Sequence, residues 1–383
     1  MSVTTRIQEL NNRLATNLVS KGVSAEGTET TTELINKVND IESGGTSVIS
    51  ECTDWRYFSY YDNRNDLVAK LKYSDTANGT NFSYMFYYCG ALTSIPQLDT
   101  SKGTNFSYMF NYCKALTTIP QLDTSKGTNF SSMFSGCRAL TSVPLRDTSK
   151  GTDFNNMFSI CKALTTIPQL DTSKGTNFNY MFYYCTALTS VPTLDTSKGT
   201  SFSSMFNNCN ALTSVSLRDT SKGTNFSYMF SICKALTTIP QLDTSKGTNF
   251  SGMFSGCTAL TSVPTLDTSK GTSFSSMFAG CRALTSIPLL NMSNVSGTAW
   301  GSMFNGCTAL ENVTFEGTIP VRGNMSVFSY SNNLTVESLM SFINALTNMS
   351  SSATYTITIG STNLAKLTEE QIQIATDKRI TLK

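Results

Sequence analysis

Between residues 82 and 310 the apolar positions recur every 24 residues: Phe82, Phe106, Phe130 and onward to Phe274, then Trp300, with Met85 to Met277 and Leu92 to Leu284 in step. The unit Thr104 to Gly127 shows the pattern. Phe106, Met109, Phe110 and Cys113 fall at i, i+3, i+4 and i+7, which predicts one face of a helix. Thr104 or Asn105 supplies an N-cap oxygen for its first turn. Leu116, Ile119 and Leu122 then surround Pro120, which lacks an N–H and predicts a short strand. Asp123-Thr-Ser-Lys-Gly127 predicts an Asx-type turn, with the glycine able to take a positive φ. The expected fold is an α/β solenoid of about ten 24-residue helix-strand-turn coils. Strands stack at ~4.8 Å and helices at ~8–10 Å, which predicts a curved stack with its strands on the concave side.

The chain divides by pattern into a helical hairpin over 1–45, a degenerate N-capping coil over 46–81, the solenoid over 82–320 and a mixed α/β C-terminal cap over 321–383. The hairpin carries two stripes, Ile7, Leu10, Leu14 and Leu18, then Leu34, Val38 and Ile41, ending at the Gly44-Gly45 joint. Its helices are too short to be stable alone, so they are expected to anchor the chain on a partner or on copies of themselves. An offset of 24 maps Phe82 onto Phe58, Leu92 onto Val68, Ile95 onto Leu71 and Asp99 onto Asp75 in the first coil. At the other end the period is expected to fail after Leu310. Beyond it Val336, Leu339, Phe342, Ile343 and Leu346 predict a helix, YTITIG from Tyr355 a strand, and the stretch around Leu367 and Ile372 a second helix.

Composition narrows the function. Only 14% of the 383 residues are charged, 28 basic against 26 acidic, which gives no electrostatic basis for binding nucleic acid. The sequence has no histidine, the usual general base and the commonest metal ligand. No apolar run is long enough to span a membrane, and MSVTTRIQEL lacks the apolar core of an export signal, so none is expected. The cysteines from Cys89 to Cys281 sit 24 apart without any CxxC, so they read as buried packing residues and not as a metal site. If they stood on packed helices they would also lie too far apart to bridge. The ladders Asp99 to Asp267 and Lys102 to Lys270 could line a calcium row, but one recurring carboxylate per coil fits turn capping better. Glu51, Asp54, Glu311 and Glu316, outside the periodic ladder, share no catalytic spacing. No enzyme activity, cofactor or metal is expected.

Variation among the copies points to recognition. The outward helix positions change while the buried ones hardly do: Tyr84, Tyr108, Ser132, Asn156, Tyr180, Ser204, Tyr228 and Gly252 in one column. Tyr87, Asn111, Ser135, Ser159, Tyr183 and Asn207 form a second, and Tyr88, Tyr112, Gly136, Ile160, Tyr184 and Asn208 a third. Tyr, Ser, Asn and Gly are the vocabulary of paratopes, whereas free drift on a helix would bring in Lys, Glu and Gln. The candidate ligand-binding residues are therefore Tyr84, Tyr87, Tyr88, Tyr108, Asn111, Tyr112, Asn156, Tyr180, Tyr183, Tyr184 and Tyr228.

The segment CKALTTIPQLDTSKGTNFSYMF resembles the BspA-like leucine-rich repeats of bacterial surface proteins, with Met-Phe, Cys, Leu and Asp-Thr-Ser recurring in order over about 82–315. The tail from LTVESLMSF resembles the closure of such repeat proteins in gut bacteria, their prophages and phages. NLVSKGVSAEGTETTTELINKVNDI resembles a helical hairpin near the ends of phage tail and fibre proteins. These resemblances imply a non-enzymatic virion protein, a tail-fibre, tail-tip or head-fibre component released by lysis. It would join other virion proteins through residues 1–45 and contact a bacterial surface protein or glycan through its solenoid. The alternatives are a bacterial surface adhesin, or a structural or decoration protein without a ligand.

Overall fold

The computed structural model describes residues 53–56, 58, 68, 71, 73–348 and 354–383. The anchor residues Ile7, Leu10, Leu14, Leu18, Leu34, Val38 and Ile41 lie outside them. The chain divides into two compact units, Met1–Thr152 and Asp153–Lys383. Each contains a stack of 24-residue coils, so the repeat is a solenoid as expected.

The coils are built differently from the expectation, because the helix is not there. From Phe106 to Cys113 the backbone N–H groups alternate between two destinations. Those of Phe106, Tyr108, Phe110 and Tyr112 donate to the carbonyls of Asn129, Ser131, Met133 and Ser135 in the next coil, at 2.7–3.0 Å. Those of Met109, Asn111 and Cys113 donate back to Phe106, Tyr108 and Phe110, closing four-residue turns at 3.1–3.2 Å. Tyr108 and Tyr112 stand third in the first and last of these turns with φ of +59°, the place where a type II turn demands a positive φ. A helix points every N–H along its own axis. Here half of them point across to the neighbouring coil, and the segment is a ribbon of turns hydrogen-bonded like a parallel sheet. In the second unit Phe202, Ser204, Phe206 and Asn208 repeat the arrangement against Asn225, Ser227, Met229 and Ser231.

The same residues are buried either way. Phe106, Met109, Phe110, Cys113, Leu116 and Leu122 are fully inside, as are the counterparts of the first five in the coils from Phe130 to Leu284. Phenylalanine rings stack coil on coil, 5.6 Å between Phe82 and Phe106 and 5.3 Å between Phe86 and Phe110 in the first unit. In the second, Phe154 and Phe178 lie 5.8 Å apart, and Phe158 and Phe182 5.6 Å. Among the described residues the repeated coils from Phe82 to Leu310 carry no helix, so the difference in layer thickness that predicted curvature is absent from them. The expected strand around Pro120 is reduced to sparse ladder bonds, such as Thr117 N–H to Thr93 O at 3.3 Å and the bridge of Leu122 with Leu145. Regular strands form only later, where β1 (Ser286–Asn291) pairs in parallel with β2 (Asn312–Glu316).

The predicted turn is present, with a different use for its glycine. Asp123 Oδ1 accepts the Ser125 N–H at 3.0 Å, and the buried Thr124 hydroxyl donates to the Asp147 carbonyl of the next coil. Gly127 is not left-handed. A Cβ there would come within 2.4 Å of Phe130 Cζ and 3.0 Å of the Thr124 carbonyl, so the residue is glycine to let the ring pass. The proposed N-cap also acts on a turn: Asn105 Oδ1 accepts the Ser107 N–H at 3.0 Å.

Both ends depart from the 24-residue beat as read. Thr53 and Trp55 take the places of Thr80 and Phe82: Thr80 N–H donates to Thr53 O, and Trp55 N–H to Asn81 O, both at 2.8 Å. Trp55 and not Phe58 is therefore the counterpart of Phe82, and the first coil holds extra residues that the offset of 24 missed. After Leu310 the ladder runs on for another coil. Ser302, Phe304 and Gly306 donate to Ser326, Val327 and Ser329, and Phe328, Ser331 and Leu334 fall 24 residues after Phe304, Cys307 and Leu310.

True helices follow. α1 (Val336–Ala345) starts at the Thr335 cap, and the Ser338 and Ser341 hydroxyls accept the Val313 and Phe315 N–H groups of β2. Phe342 packs between Trp300, Phe315 and Phe328. α2 (Ser361–Leu364) and α3 (Glu369–Asp377) flank a parallel sheet in the order β3 (Met325–Ser326), β4 (Tyr355–Thr358), β5 (Ile380–Leu382). The predicted strand and second helix are β4 and α3, the latter opened by a Thr368–Gln371 capping box. Among the described residues no helix is long and apolar enough to cross a membrane.

Candidate binding surface

The first and third variable columns are the left-handed positions of the ribbon. Tyr84, Tyr88, Tyr108 and Tyr112 have φ of 59–61°, and Ser132 and Asn156 54°. Ile160 stands at 62°, Tyr180 and Tyr184 at 57° and 59°, and Asn208 at 63°. Gly136 and Gly252 occupy the same places at 79° and 60°. The preference for Asn and Gly, and the exclusion of Lys and Glu, thus follow first from backbone conformation. Tyr and Ile are the exceptions, Ile160 and Ile232 standing at 62° and 60°. A bulky residue in the left-handed region costs about 1–2 kcal/mol, and the backbone of these columns does not ask for an aromatic side chain.

Five of the candidate residues come together in the first unit. Tyr84 stacks on Tyr108 with centroids 4.7 Å apart and planes 4° from parallel, and Tyr88 on Tyr112 at 4.6 Å and 15°. Tyr87 stands between the two stacks, 5.3 Å from Tyr84, 4.6 Å from Tyr88 and 6.2 Å from Tyr108, tilted 50–64° to all three. All five tyrosines are half-buried. Their backbones are pinned, since the N–H groups of Tyr84, Tyr88, Tyr108 and Tyr112 each donate to the next coil at 2.7–3.0 Å. Where the stack ends, Tyr112 lies on Gly136, whose absent Cβ would touch Tyr112 Cγ at 3.0 Å. Asn111, expected to point outward, is 96% buried and aims its amide at the Ser132 carbonyl at 3.5 Å. Ser132 and Ser135 are buried as well, so the outward reading fails at these positions, whereas Asn207 and Asn208 are half-buried.

The second unit repeats the theme on a smaller scale. Tyr180, Tyr183 and Tyr184 form one group, with centroids 5.5 Å and 4.7 Å apart along the chain. Burial and its two phenol neighbours push the Tyr183 hydroxyl pKa up. Tyr228 stands away from them, 45% exposed, with its ring over Gly252. Asn156 donates its amide to Asn155 Oδ1 at 2.7 Å and joins neither group. Ser159 and Ser204 are buried.

The remaining ladders are structural. Ten thiols are buried. Cys113 Sγ donates to Phe86 O, and Cys185 Sγ to Phe158 O, both at 3.0 Å. Burial pushes the Cys185 thiol up to about 12. The role becomes plain at Ser331, which holds the cysteine position of its coil and donates to Phe304 O at 2.5 Å. The packing assignment holds, though not because the cysteines stand on widely spaced helices. The aspartates cap their turns: hydrogen bonds from Ser125 and Ser197 hold Asp123 and Asp195 below the usual carboxylate range. Arg146 and Arg218 approach those carboxylates from the next coil at 3.7 and 3.6 Å. Threonine pairs such as Thr117 and Thr118, and Thr165 and Thr166, lie exposed on the opposite stretch of each coil.

Comparison with known proteins follows this geometry. A family model described as "Mycoplasma protein of unknown function, DUF285" matches residues 55–165, 117–218, 141–238 and 200–317, together more than half of the chain. A model described as "BspA type Leucine rich repeat region (6 copies)" matches residues 274–373. Among solved structures, a leucine-rich cell surface protein from Faecalibacterium prausnitzii is 21% identical, covering 62% of this chain and 76% of its own at a TM-score of 0.32. The functional domain of InlJ from Listeria monocytogenes, which includes a cysteine ladder, is 15% identical, covering 76% and 66% at a TM-score of 0.24. A search of curated proteins finds no match.

Proposed function

The chain belongs to the family described as "Mycoplasma protein of unknown function, DUF285", and from that premise we propose that it is a non-enzymatic protein that binds a bacterial surface through its solenoid. The observation that carries this reading is the tyrosine group of the first unit. Five rings are held in one rigid arrangement, four of them at backbone positions that favour glycine. Ser, Asn and Ile stand at the same left-handed positions in other coils, so what marks this place is the gathering of five phenol rings on one surface. In its finer form the protein is a fibre or tip component of a phage particle, anchored by residues 1–45 and displaying the solenoid outward. That form is supported by the resemblance of NLVSKGVSAEGTETTTELINKVNDI to the end segments of phage tail and fibre proteins. A second reading, an adhesin on a bacterial cell, is favoured by the BspA-type repeat region at 274–373.

Binding of the purified full-length chain to a panel of bacteria tests the general reading. Saturable binding that falls when the tyrosines are replaced supports it, and absence of binding to every strain overturns it. Immunogold labelling of particles and of cells separates the finer forms. Label confined to virions supports the fibre, and label on intact cells the adhesin.

A further inference from the structure

We propose that the platform of Tyr84, Tyr87, Tyr88, Tyr108 and Tyr112 takes an uncharged glycan. The inference rests on the surface-binding reading above and names the ligand of that same site. Two parallel stacks at 4.6 and 4.7 Å, with Tyr87 set across them, fix ring faces and edges at defined angles. The facing sides of each stack cover one another, so the C–H groups of a sugar ring pack along the aligned ring edges and on Tyr87 while its hydroxyls meet the phenol groups, an apolar platform edged by a few fixed polar groups. The platform is made before any ligand arrives, because the backbone of four of the five tyrosines is tied to the following coil. A ligand with many hydroxyls and little apolar surface gains most from such preorganisation.

Charge and apolarity select among ligand classes. None of the three variable columns, from Tyr84 to Asn208, contains Asp, Glu, Lys or Arg. A charged polymer would meet no complementary row there. Lys114 lies 6.0 Å from the Tyr112 centroid, over the ring itself, and its place is held by Gly90 in the preceding coil and by Arg138 in the next. A protein partner would look for a desolvated core of aliphatic and aromatic groups. Among the described residues the large apolar side chains that are more than a third exposed are Tyr73, Tyr180, Tyr228, Leu289 and Tyr330, four phenols and one aliphatic group, none of them on the platform. What the platform offers is rings and hydroxyl groups.

The test uses the full-length chain with purified neutral polysaccharides (a glucan, a mannan and a galactan), uronate and sulfated polymers, and cells treated with periodate or with protease. The variant Y84S/Y87S/Y88N/Y108S/Y112N places at each site a residue that other coils already hold there, as at Ser132, Ser135 and Asn208. Thermal melting checks its fold. The expected result is saturable binding to a neutral polymer, a loss of about ten-fold or more in affinity in the variant, and cell binding that periodate removes and protease leaves. T117A/T118A should change affinity less than two-fold (roughly, within the noise of surface substitutions). Nitration of the native chain, mapped by mass spectrometry, gives a readout free of folding: bound polymer should protect the platform tyrosines and leave Tyr330 reactive. Preference for charged polymers, unchanged affinity in the variant, or no protection would overturn the assignment. Binding that protease abolishes and periodate spares would also overturn it, while the surface-binding reading stood. Failure to bind cells at all would remove both.

Discussion

Ser204 separates a turn ribbon from a helix by the sign of one free-energy difference. Its φ is 54°, its N–H donates to Ser227 O at 2.8 Å, and its carbonyl accepts the Asn207 N–H at 3.2 Å. The residue is buried, so solvent exposure does not separate the variants to be compared. Replace it by Ala and by Gly. Both lose the hydroxyl, and their difference isolates the backbone. In a helix interior Gly is about 1 kcal/mol worse than Ala. In the left-handed region the Cβ of Ala costs about 1–2 kcal/mol, offset by about 0.4–1 kcal/mol for the greater entropy of Gly in the unfolded chain. Ser204→Gly should therefore be the more stable of the two by roughly 0.5–1 kcal/mol. Chemical denaturation of the full-length variants, followed by circular dichroism, reads this as an order of midpoints at equal slope. Should Ser204→Ala be the more stable by about 1 kcal/mol, as a helix requires, the ribbon would be refuted at that coil. Repeating the pair at Ser276, with φ of 57°, checks that the sign belongs to the column.

Three further outcomes are expected. The buried thiols, including Cys185 with its pKa pushed up to about 12, should react with an alkylating reagent only as fast as the chain unfolds, measured by intact mass over time; fast native labelling would contradict their packing. Lys378 donates to the carbonyls of Ile343, Asn344 and Leu346 at 2.8–2.9 Å, where α1 ends. Lys378→Met should cost about 2 kcal/mol and raise hydrogen exchange in α1 before the coils are affected. Finally, Asp123 and Asp195 have carboxyl groups held below their usual range by serine hydrogen bonds. Their contribution is complete above the unfolded value of about 3.9 and is lost as pH falls through the lowered folded values. The melting temperature should drop in that acid window, and less so in Asp123→Asn, which keeps an oxygen for Ser125 but does not titrate.

The periodic core was legible in the sequence, and the conformation that carries it was not. Phe106, Met109, Phe110 and Cys113 are buried whether the backbone winds as a helix or runs as a ribbon of turns, so spacing could not choose between them. The choice was written in the residues between. The two left-handed columns, which hold Tyr, Ser, Asn, Gly and Ile with no Ala, Leu, Glu or Lys, are poor helix, and their Asn and Gly suit a left-handed turn. The absence of helix formers was a sign of backbone hand before it was a sign of recognition. What survives for recognition is the clustering of Tyr, which the hand does not favour. Asn111 fell out of the candidate surface because its side chain is buried against the next coil. Trp55 was missed because the first coil is longer than 24 residues, and a fixed offset cannot see an insertion. The tail read correctly at α1 and α3 because Thr335 and Thr368 mark their starts in the ordinary way.

Coil-to-coil bonding at a constant separation has a consequence for how such a gene can change. Residues 113–130, 161–178 and 233–250 are identical in sequence, CKALTTIPQLDTSKGTNF, and each hands its N–H groups to a neighbour that differs from it at few places. Excision or duplication of a whole 24-residue block joins one copy to another of the same chemistry, leaving every donor opposite an equivalent acceptor. Length is then inherited in quanta, and recombination between copies can shorten or extend the molecule without passing through an unfoldable intermediate. The few tyrosine-bearing coils become movable cassettes in an otherwise interchangeable series, and new spacings between them arise in single genetic events.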